Sequence, residues 1–344
     1  MKAIDITGSS PGGERTPISE LVPLDTPLLI QVFPIYTCNF TCKYCIFSIP
    51  KYQREFISDI SIMKLSLFKK CINDIEKFPH RIKVLRFVGM GEPLLHKQLP
   101  EMISYVTNLN VQTRPEKTEV LTNASLLTPN LSDQLINSGL SKLLISIQGT
   151  SAKKYKEISN IDINFETFIN NITYFYNHRK NVKVHIKIAD CALENEADKN
   201  KFFDLFGNIC DTIGIEIIGP IHPGVQYNEE LLKKTYNVNQ YGEKLVNNVH
   251  VCSQPFFMMQ INPDGKVVPC YAVPYTDILG DVNLESIVDI WNGTKYNKFR
   301  LKMLDGITNV NNTCANCIIF KHRTHKSDNL FSQIDRLKQI YKTL

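Results

Sequence analysis

The stretch LLIQVFPIYTCNFTCKYC, residues 28–45, carries more information than any other in this chain. It starts as a short apolar, β-branched run, the pattern of a strand buried on both faces. It ends in three cysteines, Cys38, Cys42 and Cys45, with three and then two residues between them. A strand running straight into a cysteine loop puts chemistry at its C-terminal end, where α/β barrels build their sites. Three thiolates at this spacing can wrap one face of an iron–sulfur cube. The cube has four corners, so one iron is left without a protein ligand and can chelate a small molecule. The competing reading is a structural zinc, which usually needs a fourth Cys or His close by. None lies next to this motif.

Outward from residue 45 the strand pattern repeats. Candidate strands lie at 28–35, 82–88, 118–122, 142–148, 182–189 and 213–219, and helix-like segments fall between them at 61–78, 98–108, 130–138, 164–178 and 194–209. In 61–78 the residues Leu65, Phe68, Cys71, Ile72 and Ile75 recur at three and four, one helical face. Phe165, Phe168, Ile169, Ile172 and Phe175 do the same in 164–178. Gly139 is placed to cap the segment before it. The alternation predicts an α/β protein, a partial (β/α)6 TIM-like barrel. A doubly wound flat sheet gives the same one-dimensional pattern, so periodicity does not separate the two.

The CxxxCxxC run, with Tyr44 just before its last cysteine, resembles the signature of the radical S-adenosylmethionine (radical SAM) superfamily. Three further segments match in order. Gly89-Met90-Gly91-Glu92-Pro93 resembles the family's Gly-Gly-Glu-Pro segment, with Met90 in an unusual place. Thr122-Asn123 resembles its Thr-Asn-Gly segment, with Ala124 replacing Gly, and Ser146 and Gln148 stand where the family contacts the cofactor's ribose and carboxylate. The resemblance spans about residues 28–222. It implies that Cys38, Cys42 and Cys45 hold a [4Fe–4S] cluster whose open iron binds S-adenosylmethionine (SAM). It also implies that Gly89, Gly91, Glu92, Pro93, Thr122, Asn123, Ser146 and Gln148 contact that cofactor, with Glu92 accepting from its ammonium. An electron from the cluster would break a sulfur–carbon bond and release a 5′-deoxyadenosyl radical. Lys187, in the fifth candidate strand, is a further candidate for the barrel interior.

A second cysteine group lies late in the chain. Cys252, twelve residues, Gly265, four residues and Cys270 surround a hairpin signal, Asn262-Pro263-Asp264-Gly265. Cys314 and Cys317 follow after 43 residues. Four thiolates can hold zinc or a [4Fe–4S] cluster, and spacing alone leaves both open. Behind a radical-SAM-like barrel, the unit resembles the auxiliary-cluster extensions called SPASM and twitch. The full SPASM pattern continues with further cysteines, and none follows Cys317 here. The resemblance therefore implies one auxiliary [4Fe–4S] cluster with no open iron, suited to electron transfer. Cys191, at the end of the fifth candidate strand, is a candidate hydrogen donor; Cys71 and Cys210 read as small apolar core side chains.

The expected domains are an irregular arm (1–26), the barrel (27–222), a polar linker (223–249), a small cysteine-rich iron–sulfur domain (250–325) and one amphipathic helix (326–344). One helix is also expected over 284–304, followed by a loop bearing Cys314 and Cys317. A net charge of +5 without a block of like charges argues against nucleic acid. The lack of an 18-residue apolar run argues against a membrane span, and the lack of an apolar leader makes the cytoplasm the default expectation. Ten cysteines there point to metal or redox chemistry rather than disulfides.

The resulting expectation is an enzyme that oxidises or epimerises a sugar- or aminocyclitol-type small molecule, with flavodoxin or ferredoxin as reductant. Tyr271, Tyr275 and His222 are candidates for its pocket. The alternatives are a peptide or protein maturase, against which the short leading arm weighs, and a non-catalytic metal-binding protein.

Overall fold

A computed structural model of the chain describes residues 1–8, 16–55, 58–228, 231–232, 238–240, 242–245 and 249–344. Six short strands, β2 (Leu29–Val32), β3 (Val84–Phe87), β4 (Lys117–Thr122), β5 (Lys142–Ile147), β6 (Lys183–Ala189) and β7 (Thr212–Glu216), lie side by side in chain order, all parallel. A doubly wound sheet reverses its order at a switch point. No reversal occurs between β2 and β7, so right-handed crossovers put every connecting helix on one face and the sheet curls. Among the described residues the order ends at β1 (Ile4–Asp5) and β10 (Gly280–Asp281), which do not pair with each other, so the barrel is partial.

The connecting helices are α1 (Leu65–Ile75), α2 (Leu99–Thr107), α3 (Pro129–Asn137), α4 (Ala152–Ser159), α5 (Phe165–His178) and α6 (Glu196–Phe206). Helix α4 was not anticipated, because its sequence AKKYKEIS is largely polar and buries chiefly Tyr155 and Ile158. Gly139 takes a left-handed φ of +82° after α3, the expected cap. Cys71 and Cys210 are buried among apolar side chains.

Several sequence expectations are corrected at the two ends. The arm is not wholly irregular: β1 (Ile4–Asp5) adds a parallel strand to β7. Two residues carry no periodicity, so nothing marked them. The 284–304 segment is two helices, α7 (Ile287–Asn292) and α8 (Thr294–Leu304), broken at Gly293, where a Cβ would fall 2.4 Å from the Asp289 carbonyl oxygen. Cys314 lies in a helical turn, α9 (Asn312–Ala315), and α10 (Ile318–Arg323) follows Cys317 directly. The tail helix α11 covers only Ile334–Thr343. Part of the expected linker lies outside the described residues.

The hairpin near Cys270 forms as expected, from β8 (Met258–Ile261) and β9 (Lys266–Val268), with β10 (Gly280–Asp281) beside it. It does not stand apart from the barrel. Strand β8 pairs in parallel with β2, Leu29 opposite Met258 and Val32 opposite Ile261, so one ten-stranded sheet runs through both parts. Behind it, buried Arg300 lies 4.1 Å from the Trp291 ring and 4.2 Å from Tyr296, and donates to the Pro255 and Trp291 carbonyls. A buried cation is tolerated where ring faces and carbonyls replace its water.

Candidate active site

The cysteine loop leaves β2 at the mouth of the barrel and is pinned from three sides. The amides of Thr41 and Lys43 donate to the carbonyls of Ser159 and Ile158 at the end of α4, at 3.1 and 2.9 Å. The Cys42 thiol sits 3.3 Å from the Ser159 hydroxyl, which becomes the donor once Cys42 is a thiolate. Asn39 accepts from the Asn123 side chain at 3.0 Å and donates to Ser125 at 2.8 Å. The Phe40 amide donates to Cys38 Sγ at 3.4 Å.

Around the thiols the environment is apolar. Cys38 and Cys45 pack against a buried cluster that includes Phe33, Tyr36, Ile46, Phe47 and Met90. Met90, the residue out of pattern, is therefore part of the shell. Burial pushes the Cys38 thiol up to about 12, and burial with the neighbouring cysteines raises Cys42 as well. Burial likewise raises Cys45. Thiols this reluctant to ionise need a strong local cation to hold them as thiolates, which bound iron supplies. Among the described residues no three Cys, His, Asp or Glu side chains converge on the single point one metal ion requires. Thiolates on a cube each bind a separate iron and need no common point.

The Gly89–Pro93 segment closes against this loop. A Cβ on Gly91 would fall 2.3 Å from the Ile35 carbonyl oxygen and 2.9 Å from that of Thr37. Gly89, at φ +146°, has the Phe33 ring 2.5 Å from its would-be Cβ. Gly91→Ala is expected to push the loop off its position. The protein should reconstitute with markedly less iron than wild type, measured by iron counting, while the auxiliary site fills normally.

Glu92 is held in place by three donors of the fold itself. Its carboxylate is 2 % exposed and accepts from the Leu94 amide at 2.9 Å, the Thr122 hydroxyl at 2.6 Å and the Asn123 amide at 2.7 Å. It ties the turn after β3 to the turn after β4. Burial raises its pKa to about 7 against the pull of those three donors. Because the folded pKa lies above the unfolded one, stability should fall as pH rises from the ordinary carboxylate range through about 7. Glu92→Gln puts an NH₂ against a backbone N–H, and we expect a loss of about 1–3 kcal/mol. Melting curves across pH check both effects, since the variant should lose the slope.

Thr122 also accepts from the Ala124 amide at 2.9 Å, and Ala124 holds φ +59°. Position 124 thus needs the left-handed conformation a glycine adopts freely, and alanine takes it under strain. Pro93 opens a short helical turn, Pro93–Leu95.

Across the mouth, the Tyr44 hydroxyl donates to Gln148 Oε1, and the Gln148 amide donates to the Ser146 carbonyl at 3.1 Å. Gln148 thus braces the cysteine loop. Ser146 stands opposite Lys187 in the β5–β6 ladder, and Lys187 forms an ion pair with Glu216 of β7. Cys191 follows β6, packed with Ala189 and Leu231 and 5 % exposed, and borders a cavity of about 320 Å³ that reaches Lys43 and Ile158.

The second thiol set assembles around the hairpin. Burial raises Cys252 strongly, and Cys270, Cys317 and Cys314 raise it further by their charge. All four are therefore within electrostatic reach, although 61 residues separate the first from Cys314. Asn311 caps α9 by accepting from the Cys314 amide at 2.8 Å, and the Cys317 amide donates to the Cys314 carbonyl at 3.1 Å. Gly265 makes the hairpin turn at φ +91°. Tyr275 bonds the Tyr36 hydroxyl at 3.0 Å, and Tyr36 donates to Asn262 at 2.6 Å, joining the two parts. His222 is buried, and burial holds it down to about 4.

Sequence reasoning missed Glu216 and Arg323. Burial would raise the Glu216 carboxylate, but Lys187 and Arg323 hold it down to about 2. Arg323 also lies 5.1 Å from the Tyr271 ring. The available signals were a carboxylate ending an apolar strand and a basic residue shortly after Cys317.

A partial barrel with three thiols at its mouth and four more beside it defines a class of iron–sulfur enzyme. Family models for the radical SAM superfamily and for an iron–sulfur cluster-binding domain, SPASM, match residues 32–189 and 252–318. The chain belongs to the radical SAM superfamily and carries a C-terminal SPASM domain. It is an enzyme that uses a [4Fe–4S] cluster and SAM, and the SPASM domain adds auxiliary iron–sulfur chemistry.

Among curated proteins the chain is 22 % identical over 311 residues to a tungsten-containing aldehyde ferredoxin oxidoreductase cofactor-modifying protein of Pyrococcus furiosus, covering 76 % of this chain and 80 % of that one. It is 22 % identical over 294 residues to an S-adenosyl-L-methionine-dependent 2-deoxy-scyllo-inosamine dehydrogenase of Niallia circulans, covering 84 % and 92 %. The fold is similar to BtrN in complex with AdoMet and 2-DOIA, with a TM-score of 0.54 at 17 % identity over 88 % of this chain and 98 % of that one. It is also similar to Streptococcus suis SuiB bound to the precursor peptide SuiA, with a TM-score of 0.60 at 16 % identity over 89 % and 72 %. No helix among the described residues is long and apolar enough to cross a membrane.

Proposed function

We propose that this enzyme dehydrogenates a hydroxyl-bearing carbon of a sugar- or aminocyclitol-type small molecule. In this reading Cys38, Cys42 and Cys45 hold the cluster that binds SAM, and Cys252, Cys270, Cys314 and Cys317 hold one auxiliary [4Fe–4S] cluster. When bound, these groups supply a 5′-deoxyadenosyl radical and an acceptor for one electron. Gly89 and Gly91 allow the backbone to approach the cofactor closely. Pro93, Glu92, Thr122 and Asn123 shape that approach, and Ser146 and Gln148 line its far side. The substrate loses a hydrogen atom, then a proton and an electron, leaving a carbonyl.

The observation that carries the reading is the second thiol set. Four thiols grouped beside the barrel mouth leave a cube no open iron, which suits an electron acceptor rather than a substrate ligand. Similarity to the Niallia circulans dehydrogenase supports the choice of reaction. Epimerisation would instead need a hydrogen donor, for which Cys191 is the candidate. The reading also places the enzyme in a low-oxygen cytoplasm, served by flavodoxin or ferredoxin.

Anaerobic turnover with dithionite and SAM in D₂O, using candidate sugars and aminocyclitols, tests it. A carbonyl product without solvent deuterium at carbon is expected. Deuterium at an inverted centre would replace dehydrogenation with epimerisation, and turnover confined to peptides would overturn the substrate class.

A further inference from the structure

Arg300 of α8 is 1 % exposed, and its partners among the described residues are all neutral. Nε donates to the Pro255 carbonyl at 3.0 Å, and Nη1 donates to the Trp291 carbonyl at 2.9 Å and to Asn297 Oδ1 at 2.8 Å. Three rings enclose the guanidinium, those of Trp291 at 4.1 Å, Tyr296 at 4.2 Å and Tyr341 at 5.7 Å. Nη2 is buried without an acceptor among the described residues. The carboxylates carried by the neighbouring helices are turned elsewhere. Asp289 accepts from the Ser286 hydroxyl at 2.6 Å, Asp305 pairs with Lys338 at 2.7 Å, and Asp335 is exposed.

A guanidinium stays protonated even in such a site, so the charge is buried with it. Packing alone does not call for a cation, since a neutral side chain of similar volume fills a buried position at least as well. What the position offers is nearness to an auxiliary thiol. Pro255, which the guanidinium bonds, stands three residues after Cys252, and three residues of chain span at most about 10 Å. The short helical turn Gln254–Phe257 leads from there into β8, and Tyr296, one wall of the cage, donates to the Met258 carbonyl at the start of that strand at 2.8 Å. Buried charges are screened little by salt. Four thiolates on a [4Fe–4S] core carry net negative charge, which grows by one unit on reduction, and charge and burial set the potential of such a cluster. A fixed cation nearby favours the reduced form.

We propose that Arg300 is the fixed counter-charge of the auxiliary cluster and raises its reduction potential, which fits that cluster to accept the substrate radical's electron. This rests on the dehydrogenase reading above. The radical gives up one electron, its hydroxyl proton leaves to solvent and a carbonyl remains; the cluster is reduced by that one electron. At a separation on the order of 10 Å and an effective dielectric of about 20, one unit of charge favours the reduced form roughly tenfold. Tenfold corresponds to about 59 mV for a one-electron couple.

Redox titration followed by electron paramagnetic resonance tests this without turnover. The reconstituted Cys42→Ala protein is the starting point, because its signal comes from the auxiliary cluster alone. Arg300→Met in that background should lower the midpoint by about 59 mV, the tenfold shift. Arg300→Lys keeps the charge but not the fork that bonds two carbonyls, and should leave the midpoint near its starting value. Both substitutions break the cage and cost stability, so a merely structural arginine would move the two variants alike. A midpoint unmoved in Arg300→Met, or lowered equally in both, would overturn the proposal. A second measurement needs no substitution at Arg300. In the wild-type holoenzyme the auxiliary cluster should take up its electron at a higher potential than the SAM cluster, which is recognised by its response to added SAM. The reverse order would overturn the proposal whether or not Arg300→Met folds. Iron counting keeps the two readings apart. About four irons per wild-type chain would mean that the auxiliary cluster, and the dehydrogenase reading with it, has failed. About eight irons with an unmoved midpoint would fail the role of Arg300 alone.

Discussion

Cys42→Ala is expected to abolish reductive SAM cleavage completely while leaving the fold and the auxiliary site in place. Cys42 is the middle thiol of the loop and the one held by α4 through Ser159. Two remaining thiols cannot close one face of a cube, and the side chains packed against the loop include the apolar Phe33, Ile46, Phe47 and Met90, which cannot stand in as ligands. Iron per chain should fall from about eight to about four. Quantifying 5′-deoxyadenosine after dithionite reduction, alongside iron and sulfide, checks the outcome. Cleavage at even a hundredth of the wild-type rate would mean that Cys42 is not a ligand. Stability should change little in the metal-free protein, because Cys42→Ala removes only one small buried side chain.

Cys314→Ala should separate cofactor cleavage from product formation. Cys314 is held by the Asn311 cap, and after burial itself Cys270 and Cys317 are the groups that raise its pKa most. Its loss should empty the auxiliary site or leave it labile, again lowering iron to about four per chain. The barrel thiols are untouched, so 5′-deoxyadenosine should still form. The oxidised product should not, because the substrate radical would have no acceptor for its electron. Side-by-side measurement of 5′-deoxyadenosine and carbonyl product decides it. Full product yield from this variant would remove the electron-transfer role from the second thiol set.

How much was legible in advance depended on whether the determining contacts were local. The three cysteines of the first loop could be read because their spacing is the ligand geometry. Six strands could be read because buried parallel strands are short apolar runs. Barrel against flat sheet could not, because only spatial order distinguishes them, and that order is absent from periodicity. The contacts of Glu92 could not be read in advance for a similar reason. Its partners Thr122 and Asn123 lie 30 and 31 residues away, and a motif says nothing about which donors reach a side chain. His322 and the Ile217 carbonyl, 105 residues apart, meet only in the folded chain, where their bond holds α10 to the end of β7. The break at Gly293 was visible as a glycine inside a helical run, but helical periodicity on both sides masked it.

The pairing of β2 with β8 has a practical consequence for anyone who would dissect this chain. Cutting ahead of residue 250 would look like removal of a self-contained appendage. It would instead strip the hydrogen-bonding partner from Leu29–Val32, the strand that leads into the cysteine loop. The bared backbone would be flanked by Ile30 and Val32, both buried in the intact chain, and such an edge invites pairing between molecules. The truncated barrel should therefore aggregate rather than behave as a minimal enzyme, and insolubility on truncation would say nothing about electron transfer. Point substitution of the cysteines, which leaves that edge covered, is the sounder route to asking what each cluster does.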